Sequence, residues 1–413
     1  MVLSTAAALH SAEIFSNARQ YGMSGAYAAA ARGSEAIFLN PANLGVDSPM
    51  LYSMNILGLS VDFANNALSH VIYQRYVGTH LDEDEIREIL NAIPKEGFDL
   101  NSNAKVQGIC VGFGPFAFGV RGFSSYSSSF AREIFELMLR GNEINRVYEF
   151  NPVRGDGITA VAIGLGYGTG IPFNARVLKR LSFGVTVRYL YGLSYAHITE
   201  STFHTSTTYS AIEGNGHLGM NYAQGGRGWG ITAGISAQLE NKWTFSVVLH
   251  NPDSRMNWDR YTRRTTFDFH INEHNFEDLL RRNASIDSIF ITNQQDQPIE
   301  PFTTRLPQIL DLGLMVPLNA KILLLTELEL GFKDTALSSR TPRVMAGGEI
   351  KLTDNLRVRT GMSRGGSNET YFSGGWGINI NRFFWDFAFR TYGGITSETS
   401  TGFGLATSLA VRI

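Results

Sequence analysis

The sequence lacks long apolar runs. Its 413 residues contain no apolar stretch of about 18 residues, the length that a transmembrane helix needs. Cysteine is almost absent too, because Cys110 stands alone, which excludes an intrachain disulfide. Charged residues amount to 17%, below the usual quarter, and no basic stripe is present. A basic patch is typical of nucleic-acid binding, so we expect no nucleic-acid partner.

Patterns that carry chemistry are missing as well. The nine histidines are scattered, and no Ser, His and Asp residues stand at a spacing typical of a hydrolase. The acidic run from Asp82 to Glu85 is most simply the start of a solvated helix. We therefore predict no catalytic residue, no metal site and no cofactor. An enzyme whose Ser–His pair comes from distant strands stays open as the third function class.

What the sequence does contain is alternation with a period of two. In "GFGLATSLAVRI" (402–413), large side chains occupy one face, and glycine, alanine, serine and one arginine occupy the other. The segments 383–390, 243–250 and 229–239 repeat this pattern with aromatic residues on the apolar face. Such alternation predicts β-strands with one apolar face. It fits a soluble sandwich as well as a membrane barrel.

The lengths of the links between the strands separate these two folds. Long polar links alternate with short ones, and 169–179 is the clearest exception. The short links lie at 114–115, 240–241, 319–320, 353–355 and 381–382, and the longest links are predicted at 78–103, 127–154, 204–225 and 263–305. This asymmetry is typical of outer-membrane barrels, whose short turns lie in the periplasm. We therefore predict an all-β fold, an antiparallel transmembrane β-barrel of about 14 strands over residues 49–413, surrounded by membrane lipid. Both chain ends then lie in the periplasm. A soluble β protein is the alternative.

Three of the long links carry helical patterns. The segments 81–93, 130–141 and 273–283 have apolar residues at helical spacing, and the first begins with acidic residues that suit the helix dipole. Such helices either cover the barrel mouth and pack on each other or frame an apolar entry groove. For a ligand groove, the candidate residues are Phe130, Ile134, Phe135 and Met138.

The segment before the first strand has a different character. Residues 21–45, "YGMSGAYAAAARGSEAIFLNPANLG", run from small residues into a break at Asn40, Pro41 and Ala42, followed by Leu44. The Asn-Pro pair marks a turn, because proline fixes φ and removes a backbone donor. This stretch resembles the N-terminal hatch of the FadL family of outer-membrane long-chain fatty acid transporters, which carries an Asn-Pro-Ala motif before its first strand.

The resemblance implies a plugged, porin-like barrel for lipid transport. We expect residues 1–48 to form a hatch inside the lumen, with 1–12 either a signal-peptide remnant or the mature N-terminus. The implied function is binding or passage of hydrophobic, fatty-acid-like small molecules across the bacterial outer membrane. The rest of the chain looks closer to a branch of this superfamily from Bacteroidetes-like bacteria than to the fatty acid transporters themselves. The alternative is a barrel that does not transport and serves as a docking or shuttle partner for surface-secreted proteins.

Alternation also places charged residues inside the barrel. The candidate lumen residues are Arg188, Glu327, Glu329, Arg357, Arg359, Asp386 and Arg390. Mixed charge predicts that side chains of neighbouring strands pair with each other and with the plug. Two interpretations stay open: a generic polar filling of salt bridges and water, or a polar conduit.

Two glycine patterns complete the sequence analysis. "GLGYGTG" (164–170) resembles a phosphate-binding loop, but a proline and no helix pattern follow it, so we reject a dinucleotide site. Glycines on a lumen face instead leave room for a plug. In the third strand, Gly119 and Gly122 either permit a kink beside a lateral opening or are ordinary small residues.

Overall fold

The computed structural model describes residues 17–46, 52–150, 153–173, 177–209, 211–275, 290–366 and 370–412. Its strands are β1 (Tyr52–Asn65), β2 (Phe98–Phe113), β3 (Phe116–Phe130), β4 (Arg146–Glu149), β5 (Arg154–Pro172), β6 (Leu178–Thr207), β7 (Ala211–Leu239), β8 (Thr244–Trp258), β9 (Arg263–Asn275), β10 (Phe290–Pro298), β11 (Phe302–Thr304), β12 (Ile309–Pro317), β13 (Ile322–Gly331), β14 (Arg343–Lys351), β15 (Leu356–Gly365), β16 (Thr370–Ile380), β17 (Phe383–Tyr392) and β18 (Gly402–Arg412). Its α-helices are α1 (Ala18–Tyr21), α2 (Ala36–Leu39), α3 (His70–Tyr76), α4 (Glu83–Ala92) and α5 (Arg132–Arg140).

Fourteen of these strands form a closed antiparallel ring, in the order β1, β2, β3, β5, β6, β7, β8, β12, β13, β14, β15, β16, β17 and β18. Pairing of β1 with β18 closes the ring. Closure leaves no strand edge with unpaired backbone groups, which is what a sheet in lipid requires. The predicted barrel of about 14 strands is confirmed.

The two faces of the strands have the predicted character. In β17, Phe383, Trp385 and Phe389 are exposed on the outside of the barrel, whereas Asp386 and Arg390 are buried inside. The short links between paired strands, such as 381–382, lie together at what we call the turn end of the barrel. The longer links, such as 393–401, lie at the opposite loop end.

Helices occur at the loop end and in the N-terminal segment. α4 and α5 confirm two of the predicted helices, and Asp82 caps α4 with its side chain as the acidic start of that segment suggested. The third predicted helix begins inside β9, and its part from residue 276 onward lies outside the described residues. α3 was not expected, because its sequence continues the apolar character of β1. Across the described ranges, no helix is long and apolar enough to span a bilayer.

The prediction was wrong for three long links. Residues 204–225, predicted as a loop, continue β6 and β7 as a hairpin. The link 263–305 contains β9, β10 and β11, and 127–154 contains β4. These segments lie beyond the apolar belt of the barrel, where neither face meets lipid, so the alternation that marks a membrane strand is lost. We call β4, β9, β10 and the outer parts of β6 and β7 (194–207 and 211–225) the ribbon.

The outward apolar belt predicts where a charge is tolerated on β6. Val187 is exposed in the middle of the belt, whereas Thr202 is exposed in the ribbon. We expect Val187→Arg to cost about 2–4 kcal/mol, as for a charge at the bilayer midplane, and Thr202→Arg to cost about 0–1 kcal/mol. The folded fraction after refolding into liposomes, read from heat-dependent gel mobility, measures both variants. Equal folding yields would place the belt elsewhere.

Candidate functional site

The N-terminal segment fills the turn end of the barrel. We call residues 17–46 the plug. It comprises α1, α2 and two 3₁₀ turns, Gly33–Glu35 and Pro41–Leu44, and most of its side chains are buried. α1 contacts β16, β17 and β18, while the second 3₁₀ turn contacts β5, β6 and β7. The plug therefore spans the lumen from one side of the barrel to the opposite side.

The Asn-Pro-Ala break forms a buried turn against the wall. The Asn40 side chain accepts a hydrogen bond from the Ala42 N–H (3.1 Å). It also donates to the Ala28 carbonyl oxygen (3.1 Å) and to Ser236 Oγ (2.9 Å) on β7. Pro41 begins the 3₁₀ turn, a position where its missing N–H is not needed. Asn40 thus joins the turn both to the plug backbone and to the barrel.

Glycines in the wall let the plug approach closely. A Cβ on Gly168 or Gly184 would collide with the backbone of Pro41, and one on Gly164 would meet the Phe38 ring. This confirms that the glycine run 164–170 makes room for the plug. Side chains at these positions would push the turn away from β5 and β6.

Ion pairs fix the first part of the plug to the opposite wall. Arg19 donates from Nε and Nη2 to the two oxygens of Glu349, both at 2.8 Å. Arg359 Nε lies 2.7 Å from Glu349, and Arg359 Nη1 lies 2.6 Å from Asp386. Arg357 is farther from Glu349, at 3.9 Å. The two-point contact of Arg19 fixes the direction of its side chain as well as its position.

Two carboxylates hold the middle of the plug. Glu35 accepts hydrogen bonds from the Tyr27 hydroxyl (2.7 Å) and from Arg412 (2.8 Å). Burial alone raises the pKa of the Glu35 carboxyl, but the positive charges of Arg412 and Arg19 hold that pKa below its usual range. On β13, Glu327 accepts from the N–H groups of Tyr27 (2.9 Å) and Ala28 (2.8 Å). The plug backbone is thereby tied directly to the wall.

An aromatic box surrounds a further lumen arginine. The Arg390 guanidinium lies 4.0 Å from the ring centre of Tyr21 in the plug and 4.1 Å from that of Tyr371 in β16. Asp62 accepts hydrogen bonds from Tyr21 and, at 2.5 Å, from Tyr392. The attraction between a cation and aromatic faces adds to the ion pairs at this wall.

The predicted lumen residues face inward but do not form one group. Six of the seven are buried and Arg357 is half-buried. Glu327, Arg359, Asp386 and Arg390 belong to the plug contacts just described, and Glu329 lies 3.4 Å from Arg343. Arg188 lies on the other side of the barrel.

Large apolar side chains occupy the lumen on that other side. They form a cluster with Ile37 and Phe38 of the plug, which we call the apolar column; its main wall members are Phe123, Ile158, Leu190, Met256, Trp258 and Leu306. Tyr195 packs on Trp258 with ring centres 5.4 Å apart. Leu190 and Trp258 occupy lumen-facing positions of their strands, where the alternation predicts polar side chains. Large apolar residues at such positions are the sequence signal that could have revealed the column.

Two buried arginines accompany the column. The Arg121 guanidinium lies 4.6 Å from the Phe38 ring centre, and its Nε and Nη1 have no hydrogen-bond partner among the described residues. Arg188 donates to Asn251 Oδ1 (2.6 Å) and to the Ile231 carbonyl oxygen (3.1 Å), but its Nε has no partner in the same ranges. Neither guanidinium has a carboxylate partner within the part of the chain that the structure describes. The column therefore borders uncompensated positive charge.

A cavity of about 1240 Å³ lies at the loop end, and we call it the mouth cavity. Its walls are the loop-end parts of β5, β6 and β8 and the segments 303–307 and 333–337. Ile158 and Leu306 line this cavity and also belong to the apolar column. Charged residues around it are Arg154, Arg255, Arg305, Lys333, Asp156, Glu200 and Asp334. The cavity is thus polar at its sides and continuous with an apolar floor.

The predicted groove residues are dispersed around α5. Phe130 is the last residue of β3, and Phe135 packs on Phe98 with ring centres 5.2 Å apart. Ile134 packs on a small cluster that includes Tyr148, whereas Met138 is strongly exposed. A ligand groove at these residues stays a prediction.

The predicted kink residues lie in a strand that is evenly paired. Across Gly119 and Gly122, β3 pairs with β5 without interruption. The irregularity lies on the neighbouring strand, where the register of β2 shifts between Gln107 and Cys110. A bulge bends the strand that carries it. The kink at Gly119 and Gly122 stays a prediction.

Metal ligands do not converge in the described ranges, where no group of three or more His, Cys, Asp or Glu side chains has a metal-binding arrangement.

The chain belongs to the family described as "Family of unknown function (DUF5723)", whose model matches residues 41–388. No curated protein matches the sequence. Among solved structures, it is similar to the Pseudomonas putida toluene transporter TodX, with 11% identity and a TM-score of 0.54 over 98% of this chain and 99% of that one. It is also similar to the Ralstonia pickettii toluene transporter TbuX, with 13% identity and a TM-score of 0.51 over 98% and 99%.

The monoaromatic hydrocarbon channel CymD is another similar structure, with 12% identity and a TM-score of 0.51 over 97% of this chain and 98% of that one. At these identities the likeness establishes the fold. The chain has the FadL-like architecture of an outer-membrane β-barrel with an N-terminal plug, and its barrel matches those of outer-membrane transporters.

The turn at Asn40 predicts how firmly the plug is seated. In Asn40→Ala, the Ala28 carbonyl oxygen and the Ser236 hydroxyl each lose a donor, and the Ala42 N–H loses its acceptor. Asn43 still bonds to Ala28 and Ser236, so the Ala42 N–H is the group left unsatisfied, at a cost of about 1–3 kcal/mol. We expect an assembled barrel whose conductance in planar bilayers exceeds that of the wild type. Asn142→Ala, at an exposed position, is the matched control, and removal of residues 1–48 gives the upper limit. A conductance equal to that of the control would argue against this role.

Proposed function

We propose that this barrel binds hydrophobic small molecules and passes them across the outer membrane without chemical change. The observation that supports this most directly is the apolar column, because it joins the mouth cavity to the plug within an otherwise polar lumen. The free energy of an apolar solute falls when it leaves water for such a surface. Polar solutes would gain nothing from it.

The similar structures support the same class of cargo. TodX and TbuX are named as toluene transporters and CymD as a monoaromatic hydrocarbon channel. None of these names describes an enzyme. Their fold matches this chain over nearly its whole length, which supports transport of hydrophobic molecules rather than catalysis.

The two arginines beside the column favour a fatty-acid-like cargo. Arg121 and Arg188 are buried next to apolar side chains and lack carboxylate partners among the described residues. A molecule with an apolar tail and an acidic head would place the tail in the column and the carboxylate at these guanidinium groups. Charge-assisted hydrogen bonds of this kind are roughly twice as strong as neutral ones.

Entry and exit follow from the orientation that we propose. The loop end, with the mouth cavity and the helix that carries Phe135 and Met138, faces the cell exterior, and both chain ends lie in the periplasm. Exit through the wall would occur beside β3, where Gly119 and Gly122 lack side chains. The bulge on β2 at Gln107–Cys110 supports this position, because it already disturbs the pairing of the two strands.

The alternative function, docking of surface-secreted proteins, is favoured by the ribbon. β6 and β7 contain 30 and 29 residues, whereas a membrane strand needs about 9–11. The excess projects beyond the barrel and carries β9 and β10 at its side. Transport alone does not require such a projection.

Uptake into liposomes tests the transport function. Ala162 is buried in the column, and Ile163 beside it on β5 is exposed on the outside of the barrel. We expect Ala162→Trp to slow the uptake of a long-chain fatty acid about tenfold, as a barrier raised by about 1.4 kcal/mol would do. Ile163→Trp, the matched control, should transport like the wild type.

Two comparisons separate the parts of this proposal. Arg121→Gln should weaken binding of the fatty acid while leaving toluene binding unchanged. The readout is the change in tryptophan emission that is lost in Trp258→Phe. Uptake by Ala162→Trp at the wild-type rate would exclude the column as the path. If the wild-type barrel takes up neither compound, docking becomes the better explanation.

Orientation is tested by labelling intact cells. In a Cys110→Ser background, we expect a membrane-impermeant thiol reagent to label Ser397→Cys in the link 393–401, because that link lies at the loop end. Asn355→Cys, in an exposed turn at the other end, should be labelled only after the outer membrane is permeabilised. The reverse pattern would invert the proposed orientation.

A further inference from the structure

The link between β13 and β14 folds into the barrel instead of outward. In this link, residues 332–342, the middle positions Ala336 and Ser338 are almost completely buried. By contrast, most of the link 393–401 is exposed. A polar surface link is normally solvated, so burial of its middle indicates a specific position inside the lumen.

The buried link crosses the barrel mouth. Counted along the ring of fourteen strands, β14 is the seventh strand from β3 in either direction, so the two strands lie opposite each other. Yet the Ala336 carbonyl oxygen accepts a hydrogen bond from Ser125 Oγ on β3 (2.5 Å). The Ala336 N–H donates to Asp156 Oδ2 on β5 (2.8 Å). These two bonds, which we call the latch, fasten the link to the far wall.

The link lies where the mouth cavity meets the apolar column. Asp334 and Thr335 line the cavity, and Leu337 both lines the cavity and packs against the column. Asp156 lines the same cavity, so a molecule that enters it reaches the latch itself. A path from cavity to column therefore passes this link.

The link is held together internally and only lightly to the wall. Thr335 and Ser338 exchange backbone hydrogen bonds (2.9 and 3.1 Å), and Asp334 accepts from the Arg340 N–H (2.8 Å). Apart from the packing of Leu337, the two bonds of the latch are the hydrogen bonds that join this link to the far wall within the described residues. A compact unit with few outer contacts can swing aside without losing its own structure.

We propose that residues 332–342 form a gate between the mouth cavity and the apolar column, closed by the latch of Ala336 to Ser125 and Asp156. This inference rests on the proposed function, since it assigns a control point on the proposed path. Opening breaks two hydrogen bonds and the apolar contact of Leu337. An entering ligand would compensate for that contact by packing on the column.

Thiol accessibility of the column tests the gate without relying on transport. In a Cys110→Ser background, Ala160→Cys places a thiol at a fully buried column position. We expect the double change Ser125→Ala and Asp156→Ala to speed labelling by a charged thiol reagent from the loop end about tenfold. Replacing residues 334–340 with two glycines should do the same. The control is Ser397→Ala with Asp354→Ala, two exposed positions away from the latch.

Fatty-acid uptake measured on the same proteins separates the two proposals. Faster labelling in both test variants supports the gate, even if no variant transports. Labelling at the control rate in the shortened variant, with the barrel shown to be assembled by gel mobility, would overturn the gate. If uptake by the wild type persists in that case, the transport function stands without it.

Discussion

The constraint on which this structure depends is that lipid offers no hydrogen-bond partner to a peptide group. Each backbone group in the membrane must therefore pair within the sheet, and only a closed ring pairs all of them. A ring of fourteen strands encloses a lumen too wide for its own side chains to fill. The plug, the apolar column and the inward link 332–342 fill it.

The filling divides the lumen into two unlike halves. β13 to β18 and β1 carry the charges that fasten the plug, including Glu349, Arg359 and Arg390. β2 to β8 carry the apolar column. Desolvation offsets much of the attraction in a buried ion pair. The ion pairs of the charged half therefore fix where the plug lies more than they stabilise the fold. The apolar half is left as the surface on which a hydrophobic molecule can lie.

The sequence predicted the parts of this fold that follow from lipid contact. Alternation located the barrel strands, and the Asn40–Ala42 break located the plug. The ribbon was missed because polar strands outside the membrane have no apolar face. The column was missed because Trp258 and Leu190 are large residues in a polar phase. "KDTALSSR" (333–340) has the composition of a surface link, and only the positions of Ser125 and Asp156 on distant strands draw it inward.

The division of the lumen also divides the plug. Its first part, with Arg19 and Tyr27, is held by ion pairs and by carboxylates that accept backbone hydrogen bonds. Residues 36–44 contain no charged side chain and meet the column through Ile37 and Phe38. Moving this second part would cost van der Waals contacts and the hydrogen bonds of Asn40, but it would not separate any ion pair. On the proposed path, a molecule arriving through the column would meet the part of the plug that the charges do not hold, and its passage would require a local shift of α2 rather than expulsion of the whole plug.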